Sequence, residues 1–429
     1  MIIKEAESTL KNCWKAILPP EAENKEKIFH VLNFLLFLFT GMYIFFNPLP
    51  MSVINEFTYY LSLIVLVILV CFRKTSFTLR FSLTLPFLLF FLWAVFGLFF
   101  ALDLKNSVHD LRGHFLEYIV IFYLLVNYFN SQKRLEILSW IVIASATIFS
   151  IGAIIVFYFI EGFPFTARLG GTFKEMHVDY IGFVTVFAGT LSLNNFYKSK
   201  EMPYKVLFII CFLIICTATL LTQSRGSLIG LLISLIILCF NNKKILAVLI
   251  ITILLVLAMP GIKDRFNHQG LVHNERNKIN RLTLEIIKEH PITGIGFGMQ
   301  IYSNEKLVDL KTLKSKLFDD YQRQMIIPSP HNTFLDIAVR TGIIGLVLFF
   351  YILFTSLMLI WKILKSTKIE YFKSWAICLF ASFMSFFIPA AVADTTFGPR
   401  VVVSYTILAM ITILWNLVQK EMEKDKENR

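Results

Sequence analysis

Apolar runs long enough to cross a bilayer recur along this chain, and they restrict it to membrane folds. A helix needs about 20 mainly apolar residues to span the hydrocarbon core. The chain is 56% hydrophobic and 16% charged, so few polar residues interrupt these runs. Hydropathy predicts ten to twelve spans, near residues 28–46, 54–72, 82–101, 115–129, 136–160, 179–195, 206–222, 228–241, 245–260, 341–363, 374–392 and 401–418. Because the runs are continuous and do not alternate at period two, we predict an all-α polytopic membrane protein and not a barrel.

The distribution of lysine and arginine predicts the orientation of these spans. With the amino terminus in the cytoplasm, the cytoplasmic segments hold 23 basic residues and the short loops on the other side hold six. The six are Lys105, Arg112, Arg168, Lys174, Arg225 and Arg400. Cytoplasmic loops of membrane proteins carry such an excess, so both termini are predicted to be cytoplasmic. The same bias accounts for most of the net charge of +12, and no nucleic-acid partner is expected.

The chain divides into five predicted segments: a cytoplasmic segment 1–27, nine spans with short loops in 28–260, a long outer loop 261–340, three spans in 341–418, and a cytoplasmic tail 419–429. The outer loop has its own helical patterns, at 277–290 and 305–324. A glycine-rich turn, GIGFG at 294–298, follows Pro291. A loop of this length with its own helices is typical of a functional platform or lid.

Arginines on the outer side indicate an anion site. Arginine costs about 2.5–3.5 kcal/mol at the centre of a membrane helix, so each arginine near a span needs an acid, water or an anionic ligand. The guanidinium plane suits phosphate oxygens. The outer arginines are Arg112, Arg168, Arg225, Arg281, Arg340 and Arg400.

Simpler interpretations of these arginines stay open at the level of sequence. Arg225 in TQSRGS can be an interfacial anchor, and Arg168 can be the solvated charge of a glycine turn. Nearby acids offer ion pairs to two more of them: Glu117 or Asp110 to Arg112, and Asp394 to Arg400.

His331 lies where the outer loop enters a span, in the stretch PSPHNTFLDIAVRTGIIGL. Asn332 and Thr333 are ordinary helix-start residues, and Asp336 can either orient the histidine or pair with Arg340 at i+4. A histidine with an ordinary pKa of about 6.5 also suits proton transfer near neutral pH. Both a helix cap and a catalyst fit the pattern.

Metal and cofactor chemistry has little support in the sequence. The six cysteines lack metal-ligand spacing, and Asp319–Asp320 is the only adjacent acidic pair outside, best explained as a solvated face. The sequence has no P-loop, no GxSxG nucleophile elbow and no HExxH zinc-binding motif. We expect neither a metal nor a cofactor.

Three stretches together resemble the O-antigen ligase family: TQSRGS at 222–227, NRLTLEIIKEHPITGIGFG at 280–298, and PHNTFLDIAVRTGIIGL at 330–346. The resemblance implies a C-type membrane glycosyltransferase (GT-C) fold with its active site at the periplasmic face of a Gram-negative inner membrane. It implies a metal-independent, inverting transfer of a glycan from undecaprenyl diphosphate to the lipid A–core oligosaccharide. Membrane lipids are the other expected partners of the protein.

The resemblance also implies roles for individual residues. His331 matches the essential loop histidine, Arg225 the arginine of the SRG turn, and Arg281 the arginine that precedes the glycine turn. Arg168 matches an upstream arginine before a glycine. Arg112, Arg400 and Lys174 are added as substrate-binding candidates by position, together with Asn332 and Asp336.

Alternative functions are an O-antigen polymerase, a protein O-oligosaccharyltransferase, and a transporter of the same lipids. The two enzymes share the motifs and the donor. A transporter should carry ionisable residues at mid-membrane, whereas here the charges lie at the outer rim. A ligase is the preferred interpretation.

Overall fold

A computed structural model describes residues 24–170, 178–240, 275–309, 312, 329–396 and 398–427. In these ranges the chain forms helices and connecting turns, and no strand. The helices of the first half are α1 (Asn24–Phe46), α2 (Ser52–Cys71), α3 (Thr84–Gly97), α4 (Leu104–Leu111), α5 (Glu117–Tyr128) and α6 (Gln132–Ile154). Those of the second half are α7 (Val178–Lys198), α8 (Met202–Leu221), α9 (Arg225–Cys239), α10 (Glu275–Glu289), α11 (Thr333–Ser366), α12 (Glu370–Phe387) and α13 (Pro399–Glu427).

Seven of the described helices are long and apolar enough to cross a membrane, and the helix at Thr84–Phe100 and α9 are shorter apolar helices. This confirms a polytopic helical membrane protein. The number of spans stays a prediction, and the predicted span 245–260 lies outside the described residues. The predicted tail at 419–429 continues α13 as helix through Glu427.

Short turns join most of the successive spans that the structure describes, and these turns gather at two ends of the bundle, whereas α4 continues into α5 through one π-helical turn. At one end, here called the histidine end, the Leu169 N–H donates to the Leu221 carbonyl (2.9 Å) and the Thr333 N–H donates to the Ala393 carbonyl (3.1 Å). The other end, here called the lysine end, holds the starts of α6, α8 and α12 and the end of α7. There the Tyr371 hydroxyl donates to the Gln132 carbonyl (3.3 Å).

Burial separates central helices from peripheral ones. The apolar window of α13 is 83% buried inside the protein, whereas that of α2 is 22% buried. Side chains such as Phe57, Ile64 and Val67 of α2 are largely exposed, as lipid-facing residues are in a membrane protein. Helix α13 therefore forms the centre against which the elements of the histidine end are placed.

Helix α11 is broken at Gly342, where φ is 71° and ψ is −178°. The N–H that follows, of Ile343, donates to the carbonyl of Pro291 (2.8 Å). A Cβ at Gly342 would collide with the carbonyl of Ile292. The glycine-rich arm 291–298 therefore docks where the helix is interrupted, and the first two turns of α11 are separate from its long apolar part.

We expect Gly342→Ala to lower the thermal melting temperature of the detergent-solubilised protein. The backbone region occupied by Gly342 is essentially restricted to glycine and costs other residues about 1–3 kcal/mol, before the steric clash is added. Gly152→Ala is the matched control, because a Cβ at Gly152 of α6 meets no atom within 4 Å. Equal melting temperatures for the two variants would contradict a docked break at Gly342.

Candidate functional site

His331 occupies the turn immediately before α11. Its φ of 50° is left-handed, which is uncommon for a residue other than glycine and is found most often at turns and functional sites. The side chain is half-buried. Asn332, the next residue, caps the helix, since its Oδ1 accepts from the N–H groups of Phe334 (3.0 Å) and Leu335 (3.1 Å). Asn332 is therefore a helix-start residue, as the sequence suggested, and its side-chain oxygen forms the cap.

The start of α11 is attached to the segment 393–396, which precedes α13. The Thr333 hydroxyl donates to the Ala393 carbonyl (2.8 Å) and accepts from the Thr395 N–H (2.9 Å). The two threonine hydroxyls are 2.8 Å apart. These bonds, with the backbone bond from Thr333, hold the His331 turn against the loop between α12 and α13.

A buried cluster of acids lies one helical turn below His331. Asp336 Oδ2 is 3.2 Å from Arg340 Nη1 and 2.6 Å from the Thr396 hydroxyl. The same hydroxyl is 2.8 Å from Asp394 Oδ1. A threonine hydroxyl has one proton and can donate to one acid only. The second contact becomes a hydrogen bond when one of the two acids is protonated.

Asp394 was missed as a site residue by the sequence analysis, which considered it only as a partner of Arg400. Its Oδ1 accepts from the Thr396 N–H (3.1 Å), and its buried Oδ2 has no hydrogen-bond partner among the residues that the structure describes. The available signal in the sequence was an acid in the short loop between two predicted spans on the outer side. The structure places this carboxylate oxygen, with unused acceptor capacity, on the segment that holds the His331 turn.

Arg340 contributes to packing and does not belong to the anion site. Its Nε donates to the Phe297 carbonyl (2.8 Å), its Nη2 donates to the same carbonyl, and its guanidinium carbon is 4.3 Å from the centre of the Phe297 ring. The backbone of the GIGFG turn pairs with α11 as well, through Ile295 N–H to the Val339 carbonyl (2.9 Å). The predicted GIGFG turn is therefore present. The ion pair between Asp336 and Arg340, which was one of the two roles predicted for Asp336, is also present.

Arg225 and Arg168 are on two loops that are bonded to each other. Arg225 is the first residue of α9, after the Ser224 cap. The Arg168 Nε donates to the Thr222 carbonyl (3.2 Å), and Gln223 Nε2 donates to the Thr166 carbonyl (3.1 Å). The structure therefore brings the glycine loop of Arg168 to the SRG turn, although more than 50 residues separate them in sequence.

The SRG turn packs on the same connection between α12 and α13 that holds His331. A Cβ at Gly226 would be 3.6 Å from the Pro389 Cβ and 4.0 Å from the Val392 Cγ2. Pro389–Val392 is a short 3₁₀ helix that leads directly into segment 393–396. The connection 389–396 therefore supports both the arginine loops and the histidine turn.

Arg281 lies on the exposed face of α10. The opposite face of α10 is apolar: Leu282 and Ile286 are fully buried in a cluster with Ala338 and Val339 of α11. The helix that carries Arg281 thus packs against the helix start that follows His331. Its guanidinium is exposed to solvent and stays accessible to a ligand.

The remaining arginine candidates differ in burial. Arg112 is exposed on a single π-helical turn, Arg112–Leu116, and Arg400 is buried at the start of α13. The acids proposed for Arg112 contact other groups: Asp110 accepts from the Met299 N–H (2.6 Å), and Glu117 accepts from a tyrosine hydroxyl (3.1 Å). Lys174 lies outside the described residues.

His114 lies beside Asp110, with Nε2 3.7 Å from Asp110 Oδ1. Burial lowers the pKa of His114 below its usual value, and the charge of Arg340 acts in the same direction, while the Asp110 carboxylate opposes the shift. We therefore expect a neutral His114 at neutral pH.

An apolar cavity opens beneath the cluster of Asp336 and Arg340. It encloses ≈ 690 Å³, including its open mouth, and apolar side chains, with phenylalanines such as Phe87 and Phe349 prominent among them, form most of its wall. Its polar side is formed by Thr333, Arg340 and Thr396, among others. A pocket of this size and lining suits an apolar ligand with a polar end. Among the described residues, no three of the ligating types His, Cys, Asp or Glu lie together as a metal site.

Residues 210–350 match the family model Wzy_C, described as O-antigen ligase. The matched segment runs from α8 through the SRG turn, α10 and the docked arm into α11, and it includes Arg225, Arg281 and His331. The resemblance to the O-antigen ligase family is thereby confirmed. No curated protein matches the chain.

We expect Arg340→Met to lower the melting temperature strongly, since it leaves Asp336 buried without its cation. Breaking a buried ion pair on one side typically costs about 3–5 kcal/mol. The matched control is Arg281→Met, which removes an exposed guanidinium and should leave the melting curve unchanged. The double variant Asp336→Asn/Arg340→Met should recover part of the loss. If Arg340→Met melts like the parent protein, the pair does not stabilise this end of the bundle.

Proposed function

We propose that this protein is an O-antigen ligase, which transfers a glycan from undecaprenyl diphosphate to the lipid A–core oligosaccharide. The observation that carries the proposal is the family match over residues 210–350, which includes Arg225, Arg281 and His331. The proposed setting is a bacterial inner membrane, with the histidine end at the periplasmic face and both termini cytoplasmic. A GT-C fold with about twelve spans belongs to the same proposal.

Arginines hold the diphosphate of the donor. Undecaprenyl diphosphate is an activated leaving group, so catalysis requires neutralising the charge that develops on it and positioning the acceptor. Arg225 and Arg281 carry this role, and Arg168 assists from the loop bonded to the SRG turn. Arg112, Arg400 and Lys174 are secondary candidates. Guanidinium groups replace a divalent cation here, so the reaction is proposed to be metal-independent.

His331 activates or orients the acceptor hydroxyl. In the reaction, the hydroxyl oxygen forms a bond with the anomeric carbon, the bond to the diphosphate oxygen breaks, and that oxygen keeps the electron pair. If His331 is the base, it takes the hydroxyl proton; if it only orients the hydroxyl, the proton passes to the released diphosphate. Attack opposite to the leaving group inverts the anomeric centre. The cap at Asn332 and the buried Asp336 act as positioning residues, since both fix the turn that carries the histidine.

The apolar cavity beneath the cluster supports a lipid-linked donor. Its aromatic wall suits the prenyl chain, and its polar side faces the loops of the histidine end. An O-antigen polymerase or a protein O-oligosaccharyltransferase would use the same donor and the same residues, and these are the alternative functions.

We expect His331→Ala and Arg225→Ala to reduce glycan transfer at normal protein level. Loss of a general base costs about 10²–10⁴-fold in rate. The measurement is the amount of capped lipopolysaccharide in a deletion strain complemented with each variant. Lys288→Ala is the control, since Lys288 is exposed on α10 near Arg281 and forms only a surface pair with Glu285. Unchanged capping in the His331 variant would disprove the site assignment.

Banding of lipopolysaccharide in the deletion strain separates a ligase from a polymerase. Loss of a ligase should leave polymerised glycan on its lipid carrier and the core uncapped. Loss of a polymerase should leave cores capped with a single repeat. The second pattern would replace the ligase by the polymerase while keeping the same active site.

A further inference from the structure

A second pocket lies at the lysine end, away from His331. It is formed where the starts of α6, α8 and α12 meet the end of α7, and it encloses ≈ 910 Å³, including its open mouth. Its wall includes Glu136, Trp140, Lys198, Tyr204 and Tyr371. None of these residues has a part in the proposed glycan transfer, so the pocket requires a separate explanation.

The ammonium group of Lys198 is buried in this pocket without a hydrogen bond. The side chain is 19% exposed, and the Nζ atom is buried and finds no hydrogen-bond partner among the described residues. Nζ lies 4.0 Å from the centre of the Tyr371 ring and 4.5 Å from that of Trp375. The nearest carboxylate oxygen, Glu136 Oε1, is 3.8 Å away, which is beyond hydrogen-bond distance.

Three N–H donors of Lys198 therefore lack an acceptor. Ring faces partly compensate a buried cation, but they do not replace hydrogen bonds, and an unsatisfied buried charge is costly. An anionic oxygen entering the pocket would supply the missing acceptor. If Lys198 were only a structural ion pair, contact with Glu136 at hydrogen-bond distance would be expected.

Glu136 gives the pocket a second charge of opposite sign. Its side chain is 46% exposed, whereas that of Lys198 is 19% exposed, so the acid lies nearer to the mouth than the ammonium. Trp140 packs on Phe208 with ring centres 4.3 Å apart and forms an aromatic wall beside Glu136. The pocket thus offers a cation inside, an anion nearer to the mouth and aromatic side chains in its wall.

The pocket opens at the level where the apolar surface of the bundle ends. Ile137, Met202 and Leu207 are exposed apolar side chains on α6 and α8 next to it, while Lys200 is exposed in the connecting turn. Tryptophan and tyrosine at this level are typical of the membrane interface. A ligand in the pocket is therefore at the depth of phospholipid headgroups.

We propose that this pocket binds the headgroup of a zwitterionic aminophospholipid, with the phosphate on Lys198 and the ammonium at Glu136. One buried cation and one acid nearer to the mouth complement the two opposite charges of such a headgroup. A purely anionic headgroup would meet repulsion from Glu136. The site does not depend on the proposed glycan transfer, and its partner is the bilayer itself.

Native mass spectrometry of the full-length protein in detergent tests the proposal. The probes are phosphatidylethanolamine, phosphatidylglycerol, glycerophosphoethanolamine, which lacks acyl chains, and inorganic phosphate. The parent protein should bind phosphatidylethanolamine more tightly than the other three. Lys198→Met should weaken this binding about tenfold or more, since a hydrogen bond to a charged group is lost. Glu136→Gln should bind both phospholipids with similar affinity, because the repulsion at the mouth is gone.

Lys200→Met is the matched control, since it removes an exposed lysine two residues away and should bind as the parent does. Equal affinity of the parent for the two phospholipids would overturn the proposal, as would unchanged binding by Lys198→Met. Binding of inorganic phosphate or glycerophosphoethanolamine as tightly as the phospholipid would identify a soluble ligand instead. If Lys198→Met does not fold, the half-exposed Glu136→Gln variant decides through its loss of preference.

Discussion

Two buried charges, Asp336 and Arg340, organise the histidine end of the bundle. Charges removed from water are tolerated only when other polar groups bond to them. The elements around this pair supply those groups. The Phe297 carbonyl accepts from the guanidinium, and the Thr396 hydroxyl contacts the carboxylate. The arm 291–298 and the connection 389–396 are thereby drawn to one helix start. The position of His331 is a result of this charge satisfaction.

Local patterns in the sequence predicted the apolar helices, the outer helix at 277–290, the GIGFG turn and the i+4 pairing, because each depends on residues a few positions apart. The helix predicted at 305–324 is absent over 305–309, which form turns, and nearly all of its remainder lies outside the described residues. The break at Gly342 and the acid Asp394 were not predicted. The break depends on a backbone carbonyl about 50 residues upstream, and Asp394 meets Asp336 through Thr396, 60 residues downstream of that acid. Hydropathy and residue spacing do not reveal contacts between residues that are so far apart in the sequence. The roles of Arg225, Arg281 and His331 stay predictions.

The two ends of the protein satisfy charge in different ways. At the histidine end, Arg340 donates to the Phe297 carbonyl and to the Asp336 carboxylate, so its charge is satisfied by protein acceptors. At the lysine end, Lys198 has two aromatic rings and a distant carboxylate. In the sequence, Lys198 is one of many positive charges in the predicted cytoplasmic segments, because a count of charges does not distinguish a buried ammonium from a solvated one. The burial and the hydrogen bonds of the side chain distinguish a buried ammonium from a solvated one.

The connection 389–396 links the movement of the two loops that pack on it. Because the SRG turn packs on its first half and the start of α11 is bonded to its second half, both loops share one support. Rocking of α12 or α13 within the bilayer then shifts both loops together and conserves the distance between them. In the proposed function, this shared support would keep the spacing of the two loops constant while helices are displaced by an entering lipid-linked glycan.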